Sequence, residues 1–187
     1  MSAARLDDEV HAHFDGGVRR VLMILMDGLA FHRLQRWMAD GTAPVWQQLT
    51  DQGKLAAITS IVPSTTSSAL TSLWTGCSSS EHGIVGYEMW LKEYGLVANM
   101  IQHSPISYGS EPGSLSRAGF VPEQFMNLPT LGSHLAHYGI RSYAMQHRSI
   151  LHSGLSQMFF KDVSPHGFFS PPELWVNLRH LIESNPN

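Results

Sequence analysis

The sequence predicts an α/β protein with a central, mostly parallel sheet and helices on both faces of that sheet. Residues 21–26 form a short apolar run with no polar alternation, which is typical of a strand buried on both faces. Residues 54–62 give a second strand pattern, and segments with helical periodicity lie between and after the two runs. Such alternation of strand and helix patterns favours parallel βαβ units.

The first predicted strand ends in Asp27 and Gly28. In open α/β sheets, ligands bind in the crevice outside the carboxyl ends of the strands, so Asp27 is predicted at a position suited to chemistry. An Asp-Gly pair is also a common turn, and a simple turn is the alternative interpretation of these two residues.

Two short helices and a second strand follow. Residues 31–39 and 44–52 are predicted as helices that link the two strands, and Pro63 ends the second strand. The hydroxyl-rich residues 64–68 then lead into a helical pattern that continues to Gly76. The sequence therefore predicts a strand, a tight turn and a helix N-terminus in succession.

This helix N-terminus suggests two functions, which are anion binding by its backbone and nucleophilic attack by one of its hydroxyl groups. Unpaired backbone N–H groups and the positive end of the helix dipole favour an anion such as a phosphate. A Thr hydroxyl placed there can act as a nucleophile when a metal ion lowers its pKa. The alternative is that Ser64, Thr65 or Thr66 only caps the helix, and capping does not exclude catalysis.

The remaining patterns complete a coarse map of the chain. Residues 104–125 are rich in Gly, Pro and Ser and are predicted as a long loop. Residues 128–138 are predicted as a helix and residues 141–146 as a strand. Ser170, followed by two prolines and an acid, predicts the start of a final helix over residues 171–184.

Composition limits the classes of protein to which the chain can belong. With 187 residues, 43% hydrophobic and 14% charged, the chain is long enough for one sizeable core, so residues 19–187 are assigned to one domain and residues 1–18 to a flexible arm. The net charge of −3, without a Lys/Arg cluster, argues against binding to a nucleic-acid polymer. The single Cys77 excludes an internal disulfide and favours a reducing compartment. A cytoplasmic protein with no membrane partner is expected, because no apolar run is long enough to span a bilayer.

Taken together, the motifs resemble a known family. Asp27 and Gly28, the Pro-Ser-Thr-Thr segment that ends at Thr66, the Thr-Gly pair at 75–76 and the Glu-His-Gly motif at 81–83 occur in a recognisable order. They are similar to the amino-terminal half of the alkaline phosphatase superfamily, in its type I phosphodiesterase/nucleotide pyrophosphatase branch. The resemblance extends over about residues 20–100.

The resemblance implies an activity and a metal centre. The branch hydrolyses phosphate esters, either phosphodiesters or nucleotide pyrophosphates, with two divalent metal ions that are expected to be zinc. Matched residue by residue, Asp27 is a ligand of one zinc ion, and Thr66 is both the nucleophile and a ligand of the same ion. Thr65 is the rival nucleophile, because a shift of one residue stays open. Two cations can stabilise both the attacking and the leaving oxygen at phosphorus, and the expected partner is a small phosphorylated substrate.

The same resemblance assigns supporting and substrate-binding residues. His82 and Gly83 match the His-Gly that shapes the loop behind the nucleophile helix. Tyr87 stands where nucleotide pyrophosphatases carry an Asn that donates to a phosphoryl oxygen, and a phenol can donate the same bond. Asn99 is the substitute donor, with satisfaction of backbone groups as its alternative role.

The remaining metal ligands have no match in the second half of the chain. The branch supplies two further Asp and three His from a later segment that includes an Asp-His-Gly motif, which residues 100–187 lack. Asp162 and His166 have an Asp-x-x-x-His spacing but are expected in a solvated loop, and His134 and His137 are expected on an exposed helical face. The ligands of the second metal site are therefore expected outside this chain.

These absences lead to an expectation about the whole chain. We expect an amino-terminal portion of a larger enzyme, inactive alone, with an alkaline phosphatase-like sheet incomplete at its C-terminal side and prone to self-association there. Two alternatives stay open, which are a non-catalytic α/β module that binds an anion and a phosphomutase or sulfatase relative on the same scaffold.

Overall fold

The computed structural model describes residues 17–107 and 111–185. The chain divides into two compact units, whose described parts are residues 17–59 and residues 60–185. The arm predicted over residues 1–18 lies almost entirely outside the described residues. The assignment of residues 19–187 to one domain stays a prediction.

The first unit contains two helices, α1 (Phe31–Ala39) and α2 (Pro44–Gln52). Both have the bounds predicted from sequence, and Pro44 occupies the first turn of α2, where its missing N–H costs nothing. The two helices lie against each other, because the Ala43 amide donates to the Trp37 carbonyl at 2.9 Å and the Thr50 hydroxyl approaches the sulfur of Met38.

The two strands predicted first are absent, which corrects the sequence analysis. Within the described ranges, residues 21–26 and 54–61 have irregular backbone and pair with no strand. Most of their apolar side chains are exposed, as Val21 at 86% and Ile58 at 77% illustrate. An apolar run becomes a buried strand only when neighbouring strands pair with both of its edges and helices cover both of its faces.

The second unit alternates helices with short strands. Its elements, in chain order, are α3 (Thr66–Thr75), α4 (Ser79–His82), β1 (Glu88–Leu91), β2 (Leu96–Asn99), β3 (Ser104–Pro105), a 3-10 helix (Ser114–Ala118), α5 (Pro122–Phe125), α6 (Leu131–His137), β4 (Ser142–His147), α7 (Gly154–Phe159), β5 (Val163–Phe168) and α8 (Pro171–Ser184). Strands β1, β2 and β3 form an antiparallel sheet, in which Glu88 pairs with Asn99 and Leu91 with Leu96. Gly95 closes the turn between β1 and β2 at φ 61°, a left-handed conformation that glycine adopts without strain.

Strands β4 and β5 are parallel, and α7 lies in the connection between them. Helix α6 packs against β4, and α8 packs against β5. This unit confirms the predicted α/β class, although the parallel sheet in the described residues has only two strands.

The later elements agree with the sequence analysis to within a few residues. Helix α6 and strand β4 occupy the segments predicted as helix and strand, and α8 has the predicted bounds. Ser170 caps α8, because its hydroxyl accepts from the Glu173 amide at 3.4 Å. The predicted loop over 104–125 contains β3, the 3-10 helix and α5.

One apolar core holds the second unit together. Its buried side chains are Ile84, Leu91, Ala98, Met100, Ile101, Leu115, Phe120, Met126, Leu155, Met158 and Phe159. Trp74 on α3 stacks on Phe159 of α7, with ring centroids 6.1 Å apart, and meets Phe160 edge-on at 5.5 Å. These contacts fix α3 against the core by its apolar face.

The ring of one histidine, His103, is buried in this core. His103 is 1% exposed, has φ 52°, and packs edge-on against Phe120 with ring centroids 5.0 Å apart. Neither ring nitrogen has a partner among the described residues, and burial lowers the pKa of His103 to about 4. Gly154, the first residue of α7, lies so close that a Cβ there would overlap the Cβ and ring atoms of His103.

Stability should therefore depend on pH through His103. The unfolded chain binds a proton at His103 near pH 6.5, whereas the folded chain does so only near pH 4, so folding stability falls as pH drops through this window. The loss attributable to His103 is about 3 kcal/mol at the lower end. Urea unfolding at a series of pH values between 7 and 4 measures this loss in the free energy of unfolding.

His103→Asn is the variant that isolates this dependence, because Asn tolerates a positive φ and does not titrate. We expect its stability to vary less with pH than that of the unmodified chain. His134→Asn, at an exposed position, should leave the original pH dependence in place. An unchanged slope in His103→Asn would contradict the assignment.

A second prediction concerns the close contact at Gly154. Gly154→Ala should destabilise the chain by about 1–3 kcal/mol, because the added methyl group overpacks the core against His103. In a His103→Gly background the same substitution should be neutral or stabilising, since the Cβ and ring of His103 are both removed and Ala favours a helix more than Gly does. Urea unfolding of the four chains gives the coupling energy, and strictly additive effects would refute the contact.

Candidate active site

Helix α3 begins at Thr66, with Thr65 in the capping position. The Thr66 side chain is exposed, and its hydroxyl makes no hydrogen bond to any residue in the described ranges. Thr65 makes no capping bond either, and its hydroxyl lies 3.4 Å from Ser67 Oγ. The helix start therefore presents an accessible hydroxyl at Thr66 and has no side-chain cap.

Ser67 connects this helix start to the loop after α4. It is fully buried, and its hydroxyl donates to the Gly86 carbonyl at 2.6 Å. The next residue, Tyr87, is tied to the end of β2, because its carbonyl accepts at 2.8 Å from the amide of Met100, the residue that follows this strand. These two bonds hold the Gly86-Tyr87 segment beside the first turn of α3, so the structure brings the Tyr87 segment to the Thr66 end of the helix.

His82 and Gly83 hold the other end of the same loop. The Ile84 amide donates to His82 Nδ1 at 3.0 Å, while Nε2 lies 3.0 Å from Ser72 Oγ on α3. Because Nδ1 accepts, the neutral ring carries its proton on Nε2 and donates to Ser72. Burial lowers the pKa of His82, which favours this neutral form. Gly83 ends α4 in the left-handed region, at φ 76°.

Asn99 has one of its two polar atoms committed to the backbone. Its Oδ1 accepts from the amides of Ile101 and Gln102, both at 2.9 Å, and this closes the turn after β2. The backbone role considered in the sequence analysis is therefore present for the carbonyl oxygen. The Nδ2 hydrogens have no partner in the described part of the chain, and Asn99 pairs with Glu88, next to Tyr87. Both predicted donors thus lie at one end of the hairpin.

The aromatic residues near this loop have different surroundings. Tyr94 packs against Phe120, with ring centroids 5.8 Å apart, and its hydroxyl approaches the Gly119 carbonyl at 3.5 Å. Trp90 lies on β1 with its side chain 62% exposed. Tyr94 therefore belongs to the wall of the core, whereas Trp90 is accessible.

Asp27 belongs to the other compact unit. Its side chain is exposed, and Asp27 and Gly28 form a turn in which Gly28 has φ 71°. The local backbone thus matches the turn interpretation of this pair. Since Asp27 and Thr66 lie in different units, a metal ion shared between them stays a prediction.

The described residues do not make up a metal centre by themselves. Across residues 17–107 and 111–185, no group of three or more His, Cys, Asp or Glu side chains is arranged to hold a metal ion. Asp162 accepts from the Ser133 hydroxyl at 3.0 Å, in the turn before β5. The rings of His134 and His137 each pack against Tyr138. The His, Cys, Asp and Glu side chains of the described residues therefore do not fit the two-metal centre that the family resemblance implies.

Comparison with known proteins identifies the family. The sequence model of the family type I phosphodiesterase / nucleotide pyrophosphatase matches residues 21–145, which is more than half of the chain. The chain therefore belongs to this family of hydrolases, which confirms the resemblance and the alkaline phosphatase-like class of fold. The matched segment includes Asp27, Thr66, His82, Tyr87 and Asn99. Searches of curated proteins and of solved structures each gave no match.

Sequence reasoning missed the structural role of Ser67. Ser67, Thr71 and Thr75 recur every four residues, and the hydroxyls of Thr71 and Thr75 donate to the carbonyls four residues earlier, at 2.6 and 2.7 Å. This spacing places the three residues on one face of α3. Ser67 and Thr71 are buried, so the four-residue repeat was the available signal for an inward polar face.

No helix within the described ranges is both long and apolar enough to cross a membrane.

Removal of the Ser67 hydroxyl should loosen the loop. Ser67→Ala leaves the Gly86 carbonyl without its donor, at an expected cost of about 1–3 kcal/mol in the free energy of unfolding. Ser64→Ala is the matched control, because Ser64 is an exposed serine in the same turn and makes no side-chain hydrogen bond to described residues. Amide exchange at Tyr87 and Met100 should accelerate only in Ser67→Ala. Equal effects of the two substitutions would contradict the role assigned to Ser67.

Proposed function

We propose that Thr66 is the nucleophile in the hydrolysis of phosphodiesters or nucleotide pyrophosphates by this protein. The observation that supports the proposal is the exposed Thr66 hydroxyl, which lies at the uncapped start of α3 within the segment matched by the family. Two nearby hydroxyls on the same helix, those of Ser67 and Thr71, are used in the fold because both donate to backbone carbonyls. Thr66 is left available for a substrate.

The proposed reaction has two displacements at phosphorus. The Thr66 oxygen attacks phosphorus and its proton passes to solvent. The bond from phosphorus to the leaving oxygen breaks, that oxygen takes up a proton from solvent when it departs as an alcohol, and a phospho-threonine remains. Water then attacks the same phosphorus, the bond to Thr66 breaks, and the hydroxyl is restored. The backbone N–H groups at the helix start favour the negative charge that develops on the phosphoryl oxygens. The Tyr87 phenol and the Asn99 amide are the proposed side-chain donors to those oxygens.

The metal requirement is a separate part of the proposal. Hydrolases of this family are generally metal-dependent, and we propose two zinc ions, one of them held by Asp27 and Thr66, because zinc accepts carboxylate and hydroxyl oxygen ligands. The described residues do not complete such a centre, so no step is assigned to the metal. We propose that the 187-residue chain has little activity alone.

The single Cys77 supports a reducing, cytoplasmic location.

The activity of the isolated chain is tested with bis-nitrophenyl and mono-nitrophenyl phosphate, with added zinc and with a chelator. We expect no zinc-dependent release of nitrophenol above the rate without protein. Robust turnover would show that residues of this chain supply the ligands. Asp162, His166, His134 and His137 would then be the first residues to substitute.

The nucleophile is tested in whichever form of the protein turns over, including a longer form that carries the remaining ligands of the family. Thr66→Ala should lower kcat by about 1000-fold or more, because the covalent intermediate cannot form. Thr65→Ala is the matched control and should retain most of the rate. A full rate in Thr66→Ala would refute the assignment, and a large loss confined to Thr65→Ala would move the nucleophile by one residue. Mass spectrometry of the acid-quenched protein should find phosphate on Thr66.

A further inference from the structure

A second cluster of donors lies in the part of the chain beyond the segment matched by the family. A cleft open to solvent, which we call the basic cleft, is lined by side chains from the loop after β4, from β5 and from α8. The nitrogen-bearing side chains that line it are those of Arg148, His152, His166, Asn177 and His180. Among the described residues, no acidic side chain lines it. All five donors come after residue 145, where the family match ends.

Arg148 is held in place by its side-chain stem. Its Cγ lies over Gly167 of β5, where a Cβ would be only 2.8 Å away, and its guanidinium lies 4.9 Å from the centroid of the Phe169 ring. The backbone N–H of Arg148 donates to the Phe168 carbonyl at 2.9 Å, which fixes the start of the loop. The stem of Arg148 therefore packs on β5, and its guanidinium lies against the Phe169 ring on the exposed surface of the protein.

The Arg148 charge has no carboxylate partner among the described residues. Elsewhere in the second unit, the guanidiniums of Arg117 and Arg179 pair with Glu111 and Glu183. The remaining carboxylate on α8, that of Glu173, accepts from the Phe169 amide at 2.8 Å. Both acidic side chains of α8 are thus engaged outside the basic cleft.

The histidines of the basic cleft are also available. Within the described ranges, the ring nitrogens of His152, His166 and His180 form no hydrogen bond with a protein group. They approach the cleft from three different elements, and the Asn177 amide joins them one helical turn before His180. Guanidinium, imidazole and amide N–H groups all donate hydrogen bonds, so the side chains of this cleft are suited to an anion.

We propose that the basic cleft binds the phosphoryl group of a small molecule. The planar guanidinium of Arg148 can donate two parallel hydrogen bonds to phosphate oxygens. The imidazole and amide N–H groups of the other lining residues donate from other directions, as a tetrahedral oxyanion with several acceptor oxygens requires. This site is built from different residues than the Thr66 site and does not depend on hydrolysis.

Binding is tested by titration of the 187-residue chain with inorganic phosphate and phenyl phosphate at constant ionic strength. Carbon-proton NMR signals of the His166 and His180 rings report the location, and calorimetry reports Kd. We expect saturable shifts of both rings. Arg148→Gln should weaken binding at least tenfold, and His180→Gln several-fold. Arg179→Gln is the matched control, since it removes the neighbouring charge that Glu183 already pairs, and should change Kd less than twofold.

Other outcomes would overturn the proposal. Equal losses in Arg148→Gln and Arg179→Gln would show diffuse charge attraction, and equal binding of acetate would remove the phosphoryl preference. If neither histidine signal shifts, the basic cleft is excluded as the phosphate-binding site. Thr66→Ala should leave this binding unchanged, so failure at the cleft and failure of the proposed nucleophile are distinguishable. Gly167→Ala, which displaces the Arg148 stem without altering charge, should weaken binding while circular dichroism reports an intact fold.

Discussion

The candidate active site depends on the hydrogen bond from Ser67 to the Gly86 carbonyl. This buried bond joins the first turn of α3 to the loop that carries Tyr87, two segments that are far apart in the chain. Packing of Trp74 against Phe159 fixes the other end of the same helix against the core. With both ends held, the exposed Thr66 hydroxyl projects from a helix whose buried face is polar at its start and aromatic at its end.

Short-range signals in the sequence predicted the longer helices well, whereas the short helices α4, α5 and α7 were not predicted. Pro44 and Ser170 act through local backbone chemistry, and the helices beside them begin where these residues require. The identity of the family was equally accessible, since the motifs around Asp27, Thr66 and His82 are local in the chain. Predictions of this kind need no knowledge of which elements lie beside one another.

The strands were harder to predict, because strand formation depends on partners. Residues 21–26 have the composition of a buried strand, yet they pair with no strand in the described ranges. Strand β5 shows the reverse case, a strand that forms although its composition disfavours one. It was not predicted, since Pro165 and Gly167 argue against a strand interior. Pro165 is tolerated because β5 pairs with β4 alone within the described residues, and Gly167 makes room for Arg148. Contacts such as that between His103 and Gly154 join residues far apart in sequence and leave no local pattern.

The double acceptor at Asn99 has a consequence for recognition. Two amides fix its Oδ1, so the side chain has one orientation and its Nδ2 points in one direction before any ligand arrives. A donor that is already immobile loses little rotamer entropy when it engages an anion, whereas a freely rotating Asn would lose more. The rotamer entropy of the Asn99 side chain is therefore already lost when the turn after β2 folds. More of the free energy of binding is then left for discrimination between ligands.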